Sequence, residues 1–253
     1  MGLLRVRNPH SVLAALETRP QDVTEIVLPS SHSMSEGWEQ VANLAKTKRI
    51  RLSSGGGNRP PERGPGRGER DDSTGRTSLA EGVLKEREGI STEELFEGAR
   101  ERSSGKGLWI ALDCLQDPQN VGAIFRTAAF FGVEGIVMTQ ERSAPLTATV
   151  YDVACGGMER VPFCIQPNLQ RAFETAKEAG LWILGASEHA KEPLRSIQRD
   201  RPWLLVIGNE EKGMRRLTEE SCDVLCKIPA RGKVTSLNAS AASSILIHSL
   251  SSD

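Results

Sequence analysis

Apolar residues in this chain gather into short runs, and from about residue 108 the runs recur with helical segments between them. LWIAL from Leu108, GIVMT from Gly135, VPFCI from Val161, LWILGA from Leu181, WLLVIG from Trp203 and VLCKIP from Val224 all have strand length. Helical spacing runs from Asn120 to Phe131, where Gly132 stops it, then from Thr147, then through LQRAFETAKEAG behind Asn168, and finally from Ser236 to about Leu250. Apolar strands alternating with helices imply crossover connections and burial on both sheet faces. The pattern therefore predicts an α/β domain with a mostly parallel sheet over residues 108–253.

The first ninety residues read as a smaller α/β module. SVLAAL at Ser11 to Leu16 predicts a capped helix start, TEIVLP at Thr24 to Pro29 a strand, and WEQVANLAKTK a helix leading to the short strand RIRL. From Ser53 to Arg76 the chain is dense in Gly, Pro and charge and has no aliphatic residue, so it cannot bury enough to offset its ordering entropy. A disordered loop is expected over 53–76. Ser91-Thr92-Glu93-Glu94 has the spacing of a capping box and opens a helix that ends by SSGKG, Ser103 to Gly107. Residues 91–107 thus read as a linker helix and linker, with SSGKG as the domain boundary.

Composition narrows the picture. With 38% hydrophobic and 26% charged residues the chain has an ordinary globular balance, and no apolar run approaches the roughly 20 residues that span a bilayer. The N-terminus has no sustained apolar run, which predicts a cytosolic chain or a processed mitochondrial or plastid one. Five cysteines form no CxxC pair, and their odd number fits reduced thiols better than a disulfide frame. On a helix Cys222 and Cys226 would touch, but zinc would need two further ligands, so no metal is expected. The net charge of −1 hides a local excess: from Lys46 to Arg76 there are nine Lys or Arg against four acids. Such a stretch can hold phosphate, and it can equally be a solvated linker.

In an open parallel sheet ligands bind at the carboxyl ends of the strands, so the segments that follow the strands carry the candidate chemistry. The first, LDCLQDPQNVGAIFRTA, holds Asp113, Asp117 and Asn120 before a helix bearing Arg126. Asn120 also suits a helix cap, and Arg126 a solvated helix position. The second, VIGNEEKGM from Val206 to Met214, has Gly208, Asn209, Glu210 and Gly213. Glycines there let backbone approach a ligand, although a plain turn explains them too. The third, KIPARGKVTSLNASAASSIL from Lys227, brings Ser236, Asn238 and Ser240 to the start of a small-residue helix, which a Ser cap would also explain. No GxGxxG follows a strand and no GxxxxGK[ST] occurs, which counts against a dinucleotide oxidoreductase and a P-loop NTPase.

The three segments NVGAIFRTA, VIGNEEKGM and IPARGKVTSLNASAA, in this order and at strand ends, resemble the three motifs of the SpoU or TrmH-like branch of the SPOUT-class RNA 2′-O-ribose methyltransferases. The resemblance covers roughly Leu108 to the end. Within the branch, VACGGMERVPF and GMRRLTEESCD are similar to bacterial large-subunit ribosomal RNA guanosine 2′-O-methyltransferases and their mitochondrial relatives. It implies a SPOUT-type parallel sheet with a C-terminal trefoil knot, which periodicity does not reveal. It also implies an S-adenosylmethionine pocket, a homodimer and RNA as partner. The N-terminal module resembles, more weakly, the branch's RNA-binding domain. Three positions depart from the family pattern: its HQG signature stands here as Ala80-Glu81-Gly82, a glycine is replaced by Glu211, and a methionine by Ala230.

By resemblance the catalytic residues are Arg126, Asn120, Glu210, Ser236 and Asn238, and cofactor contacts come from Gly208, Ile228 and Leu237. A guanidinium keeps its proton, so Arg126 suits stabilisation of a developing alkoxide better than the role of base. Transfer RNA is the alternative substrate. A non-catalytic RNA-binding factor on the same fold is the alternative class, marked by loss of Arg126, Glu210 or Asn238; all three are present. With aromatics at 4%, RNA recognition is expected to lean on phosphate contacts and shape.

Overall fold

The computed structural model describes residues 2–29, 34–55 and 80–251, and the chain divides into two compact units, Met1–Glu86 and Arg87–Asp253. The first unit contains β1 (Leu3–Val6), α1 (Pro9–Thr18), β2 (Val23–Pro29), α2 (Glu36–Thr47), β3 (Arg51–Gly55) and β4 (Glu81–Lys85). Its sheet has the order β1-β4-β2-β3, with β4 antiparallel to both neighbours and β2 parallel to β3. Val6, Val12, Leu16, Ile26, Val41 and Leu84 form its buried centre. The first helix starts earlier than its apolar spacing suggests, because Asn8 caps it: Asn8 Oδ1 accepts from His10 N at 2.9 Å and Pro9 supplies the preset first turn. Pattern reading misses β1 and β4. Ala80-Glu81-Gly82 enters β4, where a Cβ on Gly82 would lie 2.8 Å from both methyls of Val12. Of the 53–76 segment, Ser53 to Gly55 end β3 and pair with β2; residues 56–76 lie outside the described residues.

The second unit begins with α3 (Thr92–Phe96) and α4 (Ala99–Arg102) and continues through β5 (Leu108–Leu112), α5 (Pro118–Phe131), β6 (Gly135–Thr139), α6 (Ala148–Ala154), α7 (Gly157–Arg160), β7 (Phe163–Gln166) and α8 (Gln170–Glu178). It ends with β8 (Trp182–Ala186), β9 (Glu192–Pro193), β10 (Trp203–Ile207), α9 (Arg216–Glu220), β11 (Val224–Lys227) and α10 (Ala239–Ser251). The seven strands are ordered β7-β6-β5-β10-β8-β11-β9, and every neighbouring pair is parallel. The expected α/β architecture with a parallel sheet is what forms. All five residues of β5, β6 and β10 are buried, as strands covered on both faces require.

The segment read as a linker differs from that reading. Leu95, Phe96 and Ala99 are buried with Trp109, Phe173 and Leu204 in the core of the second unit, and Trp109 Nε1 donates to Leu95 O at 3.3 Å. Ser91 caps α3 as the capping-box spacing predicts, its Oγ accepting from Glu94 N at 3.0 Å. An apolar helix face of this kind is covered only by packing on a core, so the division falls at Glu86/Arg87 instead of at SSGKG. Arg87 is tied into the second unit, its Nη1 donating to Met158 O and Val161 O.

From β5 the chain steps outward through β6 to β7, and β10 and β8 lie on the other side of β5. The strand order therefore reverses between β5 and β10. Such a switch point opens a crevice at the carboxyl ends of the two strands. Leu112 and Ile207 are register partners there, and Asp113 N extends the ladder by donating to Ile207 O at 2.8 Å.

Candidate active site

Three segments meet at this crevice: residues 113–120 after β5, 208–215 after β10, and 228–238 after β11. The first turns into α5, whose cap is Asp117, with Oδ1 accepting from Gln119 N at 2.8 Å. Asn120 is therefore inside the helix and buried, and the reading of it as a cap is excluded. Its amide faces the other two segments. Asn120 Nδ2 donates to Glu210 Oε1 at 2.9 Å, and Asn120 Oδ1 accepts from Asn238 Nδ2 at 2.9 Å. One side chain from each motif segment thus enters a single chain of hydrogen bonds. Asn238 also accepts from Ser240 N at 2.9 Å, which caps α10. The final helix consequently starts at Ala239, three residues later than its small-residue pattern suggests.

The second segment is a tight turn. Asn209 and Gly213 exchange both backbone hydrogen bonds, at 3.0 and 2.9 Å. A Cβ on Gly208 would meet Gly213 C and Met214 N at 2.3 Å, so only glycine fits this reversal. Asn209 Oδ1 accepts from Glu211 N and Lys212 N, each at 3.1 Å, and Asn209 Nδ2 donates to Cys114 O at 2.9 Å and to Glu210 Oε2 at 3.2 Å. Asn209 was legible as part of the motif but not as the residue that holds the turn.

Beside this network lies a cavity of about 590 Å³, within the range of small-molecule sites. Ile207 to Met214 form one wall and Lys227 to Arg231 with Val234 to Leu237 another. Glu210, Ser236, Gly208, Ile228 and Leu237 line it, as do the departing positions Glu211 and Ala230. Asn120 and Asn238 are not in the lining and adjoin it through Glu210. Arg126 is exposed on α5, outside the lining, with no side-chain partner among the described residues. Cys226 faces the cavity, but burial pushes its thiol up to about 12, which leaves no thiolate nucleophile there. Burial, and then the charge of Asp113, also raises Cys114.

The sequence profile of the SpoU rRNA Methylase family matches residues 107–248, more than half the chain and all three motif segments. The chain belongs to the SpoU rRNA methylase family. Full-length similarity extends to the 23S rRNA (guanosine-2′-O-)-methyltransferase of Nitrosomonas europaea, 35% identical over 94% of this chain and 87% of that protein. The enzyme of the same name from Pseudomonas aeruginosa is 43% identical over 61% of this chain, and there the match spans 62% of the relative, less than two thirds of its length. Among solved SpoU-type folds, the methyltransferase AviRb of Streptomyces viridochromogenes superposes with a TM-score of 0.72 at 18% identity over 99% of this chain and 89% of that chain. An AdoMet-bound rRNA methyltransferase from Sinorhizobium meliloti superposes with the same TM-score, 0.72, at 18% identity over 98% and 86% of the two chains. At such identity these likenesses speak for the fold, and the three joined motif segments tie the SpoU family to the crevice.

Proposed function

We propose that this chain transfers a methyl group from S-adenosylmethionine to a ribose 2′-hydroxyl of RNA, at a guanosine of large-subunit ribosomal RNA. The observation that carries the reading is the hydrogen-bonded series Glu210–Asn120–Asn238, which joins all three motif segments beside the cavity. The cavity suits the cofactor in size and in chemistry. Ile207, Met214, Ile228 and Leu246 offer apolar surface for a purine, and Glu188, Glu219 and Ser236 offer partners for hydroxyl and amino groups. Bound S-adenosylmethionine supplies a methyl already activated on a sulfonium. What remains for the protein is to place the ribose oxygen in line and ease the loss of its proton.

Gly208, Ile228 and Leu237 hold the cofactor in this reading, through the walls they share. Glu210 fixes the amide of Asn120, which in turn fixes Asn238, so the carboxylate works by orientation. Arg126, free of partners among the described residues, stabilises the developing alkoxide and the adjoining phosphate. The first unit captures RNA. Ribosomal RNA is preferred to transfer RNA because the full-length relative is named for 23S rRNA.

A homodimer and a C-terminal trefoil knot belong to the same reading. Phe130 is 82% exposed at the end of α5, stacked edge-on to Phe131, which meets His248 of α10 at 5.6 Å. Ile245 on α10 is 43% exposed. Exposed aromatic and aliphatic side chains on adjoining helices favour burial against a second copy. Among the described residues no helix is long and apolar enough to cross a membrane.

The test is methyl transfer from tritiated S-adenosylmethionine to unmodified ribosomal RNA and to transfer RNA, followed by nucleoside analysis. Label in 2′-O-methylguanosine of 23S rRNA is expected. Label in transfer RNA alone would overturn the substrate, and label in neither would overturn the activity.

A further inference from the structure

Asp113 is a fully buried carboxylate immediately after β5, outside the network that joins the motifs. Removing a carboxylate from water is costly unless its oxygens find donors, so its partners identify its task. Both belong to one residue 102 positions away: Oδ2 accepts from Arg215 N at 2.9 Å and Oδ1 from Arg215 Nε at 2.7 Å. Arg215 is the last residue of the segment that starts at Gly208, and it precedes α9. The next residue after Asp113, Cys114, accepts from Asn209 Nδ2 at 2.9 Å through its carbonyl oxygen. Two consecutive residues leaving β5 therefore fasten the two ends of the turn that carries Glu210 and forms one wall of the cavity.

We infer that Asp113 is a positioning residue for cofactor binding, acting through Arg215 to hold the 208–215 turn in its binding shape. This rests on the proposed cofactor site. One carboxylate oxygen is committed to the main-chain N–H of the turn and the other to the side chain of the same residue, so Asp113 fixes the turn's backbone as well as the Arg215 side chain. Arg215 is half-exposed, so it is the carboxylate that is fixed in the interior and the turn that is tied to it. An asparagine at 113 would accept one of these bonds and set an NH₂ against the other donor, which loosens the wall without removing any cavity-lining atom.

The experiment is calorimetric titration of the full chain with S-adenosylhomocysteine, paired with thermal unfolding of the same samples. Asp113→Asn is expected to weaken binding about ten- to a hundredfold, by analogy with the span seen when the hydrogen-bonded supports of metal ligands are removed. Arg215→Met, which keeps the backbone donor, should weaken it less, and Arg215→Lys should recover part of that loss. In the double variant the losses should fall short of the product of the single ones, as expected for groups that act through one contact. Arg215→Met keeps the inference testable if Asp113→Asn does not fold. Variants that unfold at lower temperature yet bind within twofold of the unaltered chain would overturn it and leave a structural ion pair. Failure of the unaltered chain to bind would instead overturn the cofactor site on which the inference rests.

Discussion

Glu210 accepts with both carboxylate oxygens, from Asn120 Nδ2 and from Asn209 Nδ2, so the isosteric glutamine must turn its NH₂ toward one of these donors. Glu210→Gln should reduce kcat/KM by about ten- to a hundredfold by freeing Asn120 to flip, which steady-state methylation of RNA will read. Arg126→Ala should behave differently. Its side chain supports no described contact, so the fold and S-adenosylmethionine affinity should stay near those of the unaltered chain while turnover falls by about two powers of ten or more. Cysteine chemistry gives a pH dependence. Burial pushes Cys164, Cys222 and Cys226 up to about 12 from an ordinary value of 9.0, so each is protonated in the folded chain where the unfolded chain has begun to ionise. Their contribution to stability is complete below about pH 9 and is lost as pH rises toward 12, because the unfolded state there binds fewer protons. The midpoint of thermal unfolding should therefore fall above pH 9, and the buried Cys164 and Cys226 should react with maleimide only after denaturation. At this scale much of the candidate site was legible as residue types at strand ends. The pairings were not, since 90 and 118 residues separate Asn120 from Glu210 and from Asn238. Nothing local in LDC or GMRR announces that Asp113 and Arg215 meet.

Elements were legible in proportion to how completely they are buried. β5 and β10 are apolar at every buried position and β6 at all but Thr139, so they stand out from the sequence, whereas β1 and β4 are short strands of an antiparallel pairing, β1 interrupted by Arg5 and β4 ended by Glu81 and Lys85. Helix ends were less legible than helices, because caps compete with apolar spacing for the boundary. Asn8 moves the start of α1 earlier, Asp117 starts α5 three residues before Asn120, and Asn238 delays α10. The stop of α5 is clearer: Gly132 adopts φ 68°, a left-handed closure that glycine takes without strain. Asp117→Ala should cost about 1 kcal/mol by removing the cap, and Gly132→Ala a similar amount by forcing a Cβ into that conformation. In a chain of this size either change corresponds to a fall of roughly 2–4 °C in unfolding midpoint, measurable by calorimetry. Asp117 N also approaches Glu210 Oε1 at 3.4 Å, so this backbone link to the motif network should survive loss of the Asp117 side chain.

For the whole molecule the position of the division decides how chemistry and RNA capture can be separated. A cut at SSGKG, suggested by composition, would strip Leu95, Phe96 and Ala99 from the core of the second unit and leave Trp109 and Phe173 partly uncovered. A chain starting at Arg87 keeps that core, and keeps the Arg87 hydrogen bonds to Met158 O and Val161 O. It should fold, bind S-adenosylmethionine within about threefold of the full chain and sediment as the same oligomer, since the exposed Phe130 and Ile245 are retained. RNA affinity should fall, because Lys46, Lys48, Arg49 and Arg51 and the arginines from Arg59 to Arg76 leave with the first unit. Every phosphate that these side chains cease to neutralise takes about 0.7–0.9 from the slope of log affinity against log salt, so a binding series from about 50 to about 200 mM salt separates capture from chemistry. The full chain should show the steeper slope. If the chain from Arg87 methylates ribosomal RNA at the full rate with an unchanged slope, the basic stretch is a solvated linker and RNA is held by the second unit alone.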